Sequence, residues 1–250
     1  MRGDSVAAGS WLDGSASCEA TRDGWELDGS ARFVVPADAT NFLVVFPTDS
    51  GHPSLHVAAH TPGLSITSET RIDGTAAAVL DFKAVQVSQA GLLARAPGAA
   101  AASEHARDNA LVMAAFYMSG TMRSINAMTQ EYLRTRTQFG KPIGSFQALQ
   151  HKAVDMHIAE QLARDVAQNA CTLIDAGCTP DERACLASRA KARAGESLDR
   201  IARMPVQLRG AIGFTDEYDL SLHSRRSLGT PEQRDKWLPK MNRSRPTSRC

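Results

Sequence analysis

The second half of the chain contains three long stretches in which apolar residues recur every three or four positions. This spacing places the apolar side chains on one face of an α-helix. The first stretch begins at Leu111 and ends at a Gly140-Lys141-Pro142 turn, the second runs from Leu149 to Leu173, and the third starts at Thr179-Pro180-Asp181-Glu182 and extends to about Leu208. Three long helices with one apolar face each are most simply buried as an antiparallel bundle.

The first ninety or so residues have a different pattern. Short runs rich in Val, Phe and Leu, separated by Asp-Gly and Ser-Gly turn signals, lie at residues 31–35, 42–46, 55–59 and 79–82. Such runs predict strands and hairpins. The predicted fold class is therefore α+β, with a small antiparallel β domain followed by a C-terminal antiparallel helical bundle. The predicted limits are residues 1–95 for the β domain, 96–228 for the bundle and 229–250 for a tail.

Composition and charge exclude several classes of protein. The 28 basic and 27 acidic residues nearly cancel, to a net charge of +1, which argues against a nucleic-acid binder. No apolar run approaches the ~18 residues of a membrane span, and the N-terminus lacks the apolar core of a secretion signal. A cytoplasmic location is predicted. The five cysteines form no Cys-x-x-Cys pair, which favours free thiols.

Three histidines with a spacing of four raise the question of a metal site. His52, His56 and His60 would share one face of a helix, as metal ligands do. They lie in the strand-rich region, however, beside Pro53 and Pro62. We therefore expect scattered surface histidines and no metal site.

The most specific segment joins the first two predicted helices and reads YLRTRTQFGKPIGSFQALQ, residues 132–150. It combines a helix end that carries the cation of Arg136, the aromatic ring of Phe139, a tight Gly-Lys-Pro turn, and a new helix with free N–H groups in its first turn. An anionic dinucleotide cofactor needs such parts. Alternatively, Arg136 offsets the helix dipole and Phe139 covers the core.

A second segment follows the third predicted helix and reads QLRGAIGFTDEY, residues 207–218. Its glycines allow a backbone to approach a pyrophosphate closely, and Gln207 supplies an amide. Ala211 places one methyl group in this glycine-rich stretch.

Together the two segments resemble the signatures of the acyl-CoA dehydrogenase family, which are Arg-x-x-Phe-Gly-Lys-Pro-Ile followed by Phe-Gln, and Gln-x-x-Gly-Gly-x-Gly-Phe-x-x-Glu-Tyr. Residues 23–34 also resemble the hairpin that opens the middle β domain of that family. The resemblance covers roughly residues 15–226. It implies an FAD enzyme that desaturates acyl-CoA thioesters and passes electrons to an electron-transfer flavoprotein or a similar acceptor.

The resemblance also implies site residues. In the family a carboxylate removes the α-proton of the substrate while the β-hydrogen leaves as hydride to the flavin. The Arg, Phe and Gln of the longer motif reach the FAD of a neighbouring subunit in relatives, which implies a homo- or hetero-oligomer. The cofactor-binding residues carried over by motif are Arg136, Gln138, Phe139, Gln147, Gln207 and Gly210.

The catalytic base is not identified. The two positions that hold the base in branches of the family correspond to Leu228 and Ala110 in this chain. Asp108 is two residues from the second position, a rotation of about 200° on a helix, and so lies on the opposite face. Glu217 is interpreted as a helix-start residue.

Other departures leave two hypotheses open. The N-terminal helical domain of the family and its Thr-Glu-Pro-x-x-Gly-Ser-Asp segment are expected to be missing, and Phe33-Val34-Val35 lacks the hydroxyl that bonds the flavin in many relatives. Residues 228–241 resemble a piece of that N-terminal domain. The chain is predicted to be an acyl-CoA dehydrogenase, or a subunit completed by a partner chain. The alternative is a catalytically silent oligomerisation partner, and an unstable fragment is the third interpretation.

Overall fold

In the computed structural model the described residues are 7–11, 17–45, 53–94 and 98–209. The chain divides into two compact units, residues 1–106 and 107–250. The dividing point lies inside the first helix, whereas the sequence places a domain limit at residue 95. The three domain ranges given by the sequence stay predictions.

The first unit consists of two four-stranded sheets, with strand orders β1-β4-β5-β8 and β2-β3-β7-β6. Every strand pair in them is antiparallel except β1 and β4, which run parallel. The strands are β1 Ala7–Trp11, β2 Ser17–Ala20, β3 Gly24–Val34, β4 Asn41–Val45, β5 Ser54–Ala58, β6 Leu64–Thr70, β7 Ala76–Ser88 and β8 Leu92–Ala94.

The four predicted strand runs are confirmed in β3, β4, β5 and β7. Alternation explains why they form: in β4, Phe42 and Val44 are fully buried while Leu43 between them is 39% exposed. Inward-facing residues of both sheets meet in one apolar core. The four runs do not include β1, β2, β6 and β8. The sequence missed β6 because five of its seven residues are Ser, Thr or Glu and it forms the edge of its sheet beside β7.

The second unit contains the bundle. Its helices are α1 Gly98–Thr135, α2 Gln147–Asp175 and α3 Pro180–Arg209. Helix α1 is 38 residues long and begins earlier than the predicted Leu111, because the alanine run after Gly98 has high helix propensity without any apolar periodicity. A short hairpin of β9 (Thr137–Gln138) and β10 (Lys141–Pro142) and a 3₁₀ turn at Ile143–Ser145 connect α1 to α2.

Contacts between the helices confirm the antiparallel arrangement. Asn126, late in α1, donates a hydrogen bond to the carbonyl oxygen of Met156, early in α2, at 3.3 Å. Arg200, late in α3, lies 3.8 Å from Asp155 of α2. The shared core combines larger side chains of α1 with small ones of α2 and α3: Met118, Met122, Ile125, Ala159, Ala163, Ala167, Ala190 and Ala194.

The start of α3 confirms the predicted capping box. The backbone N–H of Glu182 donates to Thr179 Oγ1 at 3.3 Å, and the Thr179 N–H donates to Glu182 Oε2 at 2.9 Å. This backbone hydrogen bond lowers the pKa of the Glu182 carboxyl. Gly177, with φ of 93°, makes the left-handed turn that ends α2.

Among the helices of residues 98–209, none combines the length and the apolar character that a membrane crossing requires.

Candidate functional site

The α1–α2 hairpin, residues 136–147, carries four of the six site residues predicted from the sequence. Arg136 follows the last residue of α1. Its backbone N–H donates to the carbonyl oxygen of Tyr132 at 2.9 Å, and its own carbonyl oxygen accepts the N–H of Ile143 at 2.8 Å. The Arg136 side chain is exposed. Its backbone is therefore fixed on both sides while the guanidinium faces solvent.

The tip of the hairpin holds an aromatic ring in solvent. Phe139 and Gly140 both have positive φ, 51° and 76°, and close the two-residue turn between Gln138 and Lys141. Glycine adopts this conformation freely, but a phenylalanine is disfavoured there. The Phe139 side chain is 91% exposed. An exposed ring on such a backbone marks the tip as a candidate ligand contact.

The second half of the hairpin, from Ile143 onward, packs against the end of α1. Ile143 is buried, and the amide of Gln150 donates to the carbonyl oxygen of Gly144 at 2.9 Å. A Cβ at Gly144 would lie 2.8 Å from the carbonyl oxygen of Leu133, so the close approach to α1 requires glycine. These contacts hold the hairpin against the end of α1.

Helix α2 begins directly after these residues, at Gln147. Phe146 is its N-cap, and the Phe146 carbonyl oxygen accepts the N–H groups of Leu149 and Gln150 at 2.9 and 3.1 Å. The N-cap side chain forms no capping hydrogen bond, which leaves first-turn N–H groups at the positive end of a 29-residue helix. Gln147, the first residue of α2, is exposed.

The hairpin is also positively charged. Arg136 and Lys141 are both exposed. The ion pairs formed by the described residues include neither of the two. The Arg136 cation, a helix N-terminus, two exposed amides and an exposed ring are the donor set for a ligand with phosphate groups and a flat ring system. The residues present therefore fit an anionic dinucleotide such as FAD.

The structure describes no side chain for the remaining predicted site residues. Gln207 lies near the end of α3, where only the backbone is described. Gly210, Ala211, Glu217 and Leu228 lie outside the described residues. The structure brings together Arg136, Gln138, Phe139 and Gln147 on one hairpin; the part of Gln207 and Gly210 stays a prediction.

The second family base position, Ala110, is exposed on α1, whereas Asp108 is 2% exposed and faces the bundle interior. Arg183 of α3 lies 3.2 Å from Asp108 Oδ2, and Arg107 lies 3.6 Å from Oδ1. The Asp108 carboxylate therefore forms a buried ion pair with Arg183.

In the β unit, the strand that lacks the flavin-bonding hydroxyl carries an irregular backbone. Phe33 has φ of 61° and lies within the register shift between Ala31 and Val34 of β3. The Arg32 guanidinium lies 5.7 Å from the centre of the Phe33 ring, and Val35 is 49% exposed.

Of the three histidines, His56 has a structural partner. His56 Nε2 lies 2.8 Å from Asn41 Oδ1 across the sheet, and His60 is exposed, while His52 lies outside the described residues. No cluster of three or more potential metal ligands occurs in the part of the chain that the structure describes.

The described cysteines are free thiols, as predicted: Cys18, Cys171, Cys178 and Cys185. Burial raises the pKa of the Cys18 thiol to about 11, so this group is neutral at physiological pH.

One contact in the hairpin was missed by the sequence. The Lys141 ammonium lies over the ring of Phe146, five residues later, at 4.5 Å from its centre. This pairing depends on the geometry of the turn, so the apolar spacing of the chain carries no signal for it.

Comparison with known proteins identifies the family. The profile described as "Acyl-CoA dehydrogenase, C-terminal domain" matches residues 97–231. The acyl-CoA dehydrogenase IpdE2 of Mycobacterium tuberculosis is 32% identical over 180 residues, which are 70% of this chain. The chain spans about half of that relative, 52% of its length.

Solved structures share the fold. Butyryl-CoA dehydrogenase of Megasphaera elsdenii superimposes with a TM-score of 0.76 at 24% identity, covering 90% of this chain and 63% of that protein. The ChsE4–ChsE5 complex of Mycobacterium tuberculosis gives a TM-score of 0.81 at 23% identity, covering 97% of this chain and 68% of the matched chain. The family profile covers more than half of the 250 residues, and the chain therefore belongs to the acyl-CoA dehydrogenase family.

Proposed function

We propose that the chain binds FAD at the α1–α2 hairpin and serves as an acyl-CoA dehydrogenase, or as one subunit of such an enzyme, in the α,β-desaturation of an acyl-CoA thioester. The observation that carries the proposal is that one turn, held by backbone hydrogen bonds, carries both an exposed Phe139 ring and an exposed Arg136 side chain. The proposed electron acceptor is an electron-transfer flavoprotein or a similar protein.

Each residue of the hairpin has a proposed role. The Arg136 guanidinium pairs with a phosphate, assisted by the positive N-terminus of α2. Gln138 and Gln147 offer amides to polar groups of the cofactor, and Phe139 covers a flat apolar surface and excludes water from it. When bound, FAD would accept the hydride that leaves the β-carbon of the thioester.

An uncovered apolar row on α2 supports an oligomer. The row lies at helical spacing beside the core-facing side, and its members are 43–54% exposed: Val154, Ile158, Leu162 and Leu173. It adjoins a groove of about 290 Å³ between α2 and α3 whose lining includes both Asp165 and Arg189. Because this groove carries both charges, a second copy related by a two-fold axis could place Arg189 opposite Asp165. We propose that this surface contacts a second copy of the chain.

Replacing Ile158 by Asp is expected to shift the protein from an oligomer to a smaller species, because a charge in a packed apolar contact lacks a partner. Light scattering coupled to gel filtration measures the change. Gln168→Asp, on the polar side of α2, introduces the same charge and should leave the mass unchanged. A monomeric wild-type protein, or identical masses for wild type and Ile158→Asp, would contradict this surface.

The second candidate function is a catalytically silent oligomerisation partner. It is supported by Ala110, which offers a methyl group where one branch of the family has its base, and by the engagement of Asp108 with Arg183. Loss of a positioned general base costs about 10²-fold to 10⁴-fold in rate. A dehydrogenase containing this chain therefore needs a carboxylate other than Asp108 as its base.

Two measurements on the purified protein separate these functions. Flavin content, measured by absorbance after FAD addition and gel filtration, tests the cofactor. Reduction of an artificial electron acceptor across a panel of acyl-CoA thioesters tests turnover. Bound flavin with turnover supports the enzyme, and bound flavin without turnover supports the silent subunit. A folded protein that retains no flavin overturns the proposed FAD site.

A further inference from the structure

Three side chains of the hairpin contact one another in series. The Lys141 ammonium lies 4.5 Å from the centre of the Phe146 ring. The Phe146 ring in turn meets the Phe139 ring edge to face, with centroids 6.1 Å apart and an interplanar angle of 89°. Both distances fall in the favourable range for cation–π and aromatic pairs. Lys141 is thereby linked to the exposed ring through one intermediate ring.

We infer that Lys141 is a positioning residue of the proposed FAD site: its ammonium holds the Phe146 ring, and Phe146 holds the Phe139 ring in the orientation that receives the cofactor. This inference rests on the proposed function. It assigns a role to two residues, Lys141 and Phe146, that lie outside the predicted set of cofactor-binding residues.

The burial of the two rings supports the proposed order, in which Phe146 positions Phe139. Phe146 is half-buried, and its backbone is fixed as the N-cap of α2. Phe139 is 91% exposed, so little of its ring is in contact with the rest of the described chain. The edge contact with Phe146 therefore limits the rotation of the Phe139 ring. Restricting that ring before binding lowers the entropy lost on binding.

The geometry also separates Lys141 from the groups proposed to bind phosphate. Arg136 has no aromatic contact among the described residues, whereas the Lys141 ammonium is already placed over a ring. A cation over a ring keeps its charge but is held to one position. Lys141 thus acts on the cofactor through Phe146 and Phe139.

The test is FAD affinity, measured by quenching of flavin fluorescence at fixed ionic strength in the full chain. Lys141→Met is expected to weaken binding about 2-fold to 5-fold, the size of an exposed cation–π contact. Lys141→Arg, which retains a cation over the ring, should bind as wild type does. Arg134→Met removes an exposed cation from the last turn of α1, next to the hairpin, and should leave affinity nearly unchanged. Equal losses in Lys141→Met and Arg134→Met would reduce the effect to general charge and overturn the inference.

A double-mutant cycle with Phe146→Leu distinguishes action through the ring from direct contact. If Lys141 acts through Phe146, Lys141→Met has no further effect in the Phe146→Leu background. An undiminished effect in that background would assign Lys141 to the ligand itself and overturn the inference. Thermal unfolding of the flavin-free variants shows whether Phe146→Leu folds; if it does not, Phe146→Met, which fills similar space without a ring, replaces it, and Lys141→Met should again have no further effect.

The result also separates this inference from the proposed function. Wild-type protein that binds no FAD overturns both. Wild-type protein that binds FAD, with unchanged affinity in Lys141→Met, overturns the positioning role alone and leaves the proposed site intact.

Discussion

Replacing Arg183 by Met is expected to lower the free energy of unfolding by about 3–5 kcal/mol, because it leaves the Asp108 carboxylate buried without its main partner. The side chains of Asp108 and Arg183 are 2% and 13% exposed, and their atoms are 3.2 Å apart. The pair joins α1 to α3. Urea unfolding at fixed protein concentration, followed by circular dichroism, measures the change.

Two further variants test the physical reason. Arg203→Met removes one partner of the Asp199–Arg203 pair, whose side chains are 41% and 74% exposed, and should cost at most about 1 kcal/mol. Asp108→Leu combined with Arg183→Met removes both charges and should recover much of the stability lost in the single variant. Equal losses of unfolding free energy in Arg183→Met and Arg203→Met would show that breaking the buried pair costs no more than breaking an exposed one.

Replacing Arg136 by Ala is expected to weaken FAD binding about 10-fold to 100-fold, since a hydrogen bond between charged groups contributes about 1.5–3 kcal/mol. The backbone hydrogen bonds of Arg136 to Tyr132 and Ile143 do not involve its side chain, so the hairpin should keep its shape. Fluorescence titration with FAD measures the affinity.

Arg134→Ala is the matched control for this change. It removes an exposed cation from the last turn of α1 and should alter the affinity less than about 3-fold, the range expected of a screened charge. An Arg136→Ala protein that binds FAD as tightly as the Arg134→Ala protein would contradict the assignment of Arg136 to a phosphate.

The arrangement of helices could be predicted because each helix has its own local signal. The capping box at Thr179 and Glu182 predicted the start of α3, and the apolar stripe that stops before Gly177 predicted the end of α2. The start of α1 was missed because alanines have no apolar periodicity. Strand β6 was missed because a polar edge strand lacks a buried face along most of its length.

The candidate site could be predicted only in part. The motif predicted that the first helix ends at a tight Gly140-Lys141-Pro142 turn. In the structure α1 already ends at Thr135, and the turn lies one residue earlier than predicted, at Phe139 and Gly140, because Lys141 and Pro142 pair with Gln138 and Thr137 as a strand. The contact of Lys141 with Phe146 and the edge contact with Phe139 depend on the path of the turn in three dimensions. Spacing along the chain does not determine such a path, so side-chain contacts across a turn need coordinates.

The proposed cofactor site is tested most directly by titrating the purified 250-residue chain with FAD and following the quenching of flavin fluorescence. Saturable binding of one FAD per chain, weakened in Arg136→Ala and retained in Arg134→Ala, is the predicted result. A folded, helical protein that leaves the fluorescence of added FAD unchanged would contradict the proposal that the α1–α2 hairpin holds the cofactor.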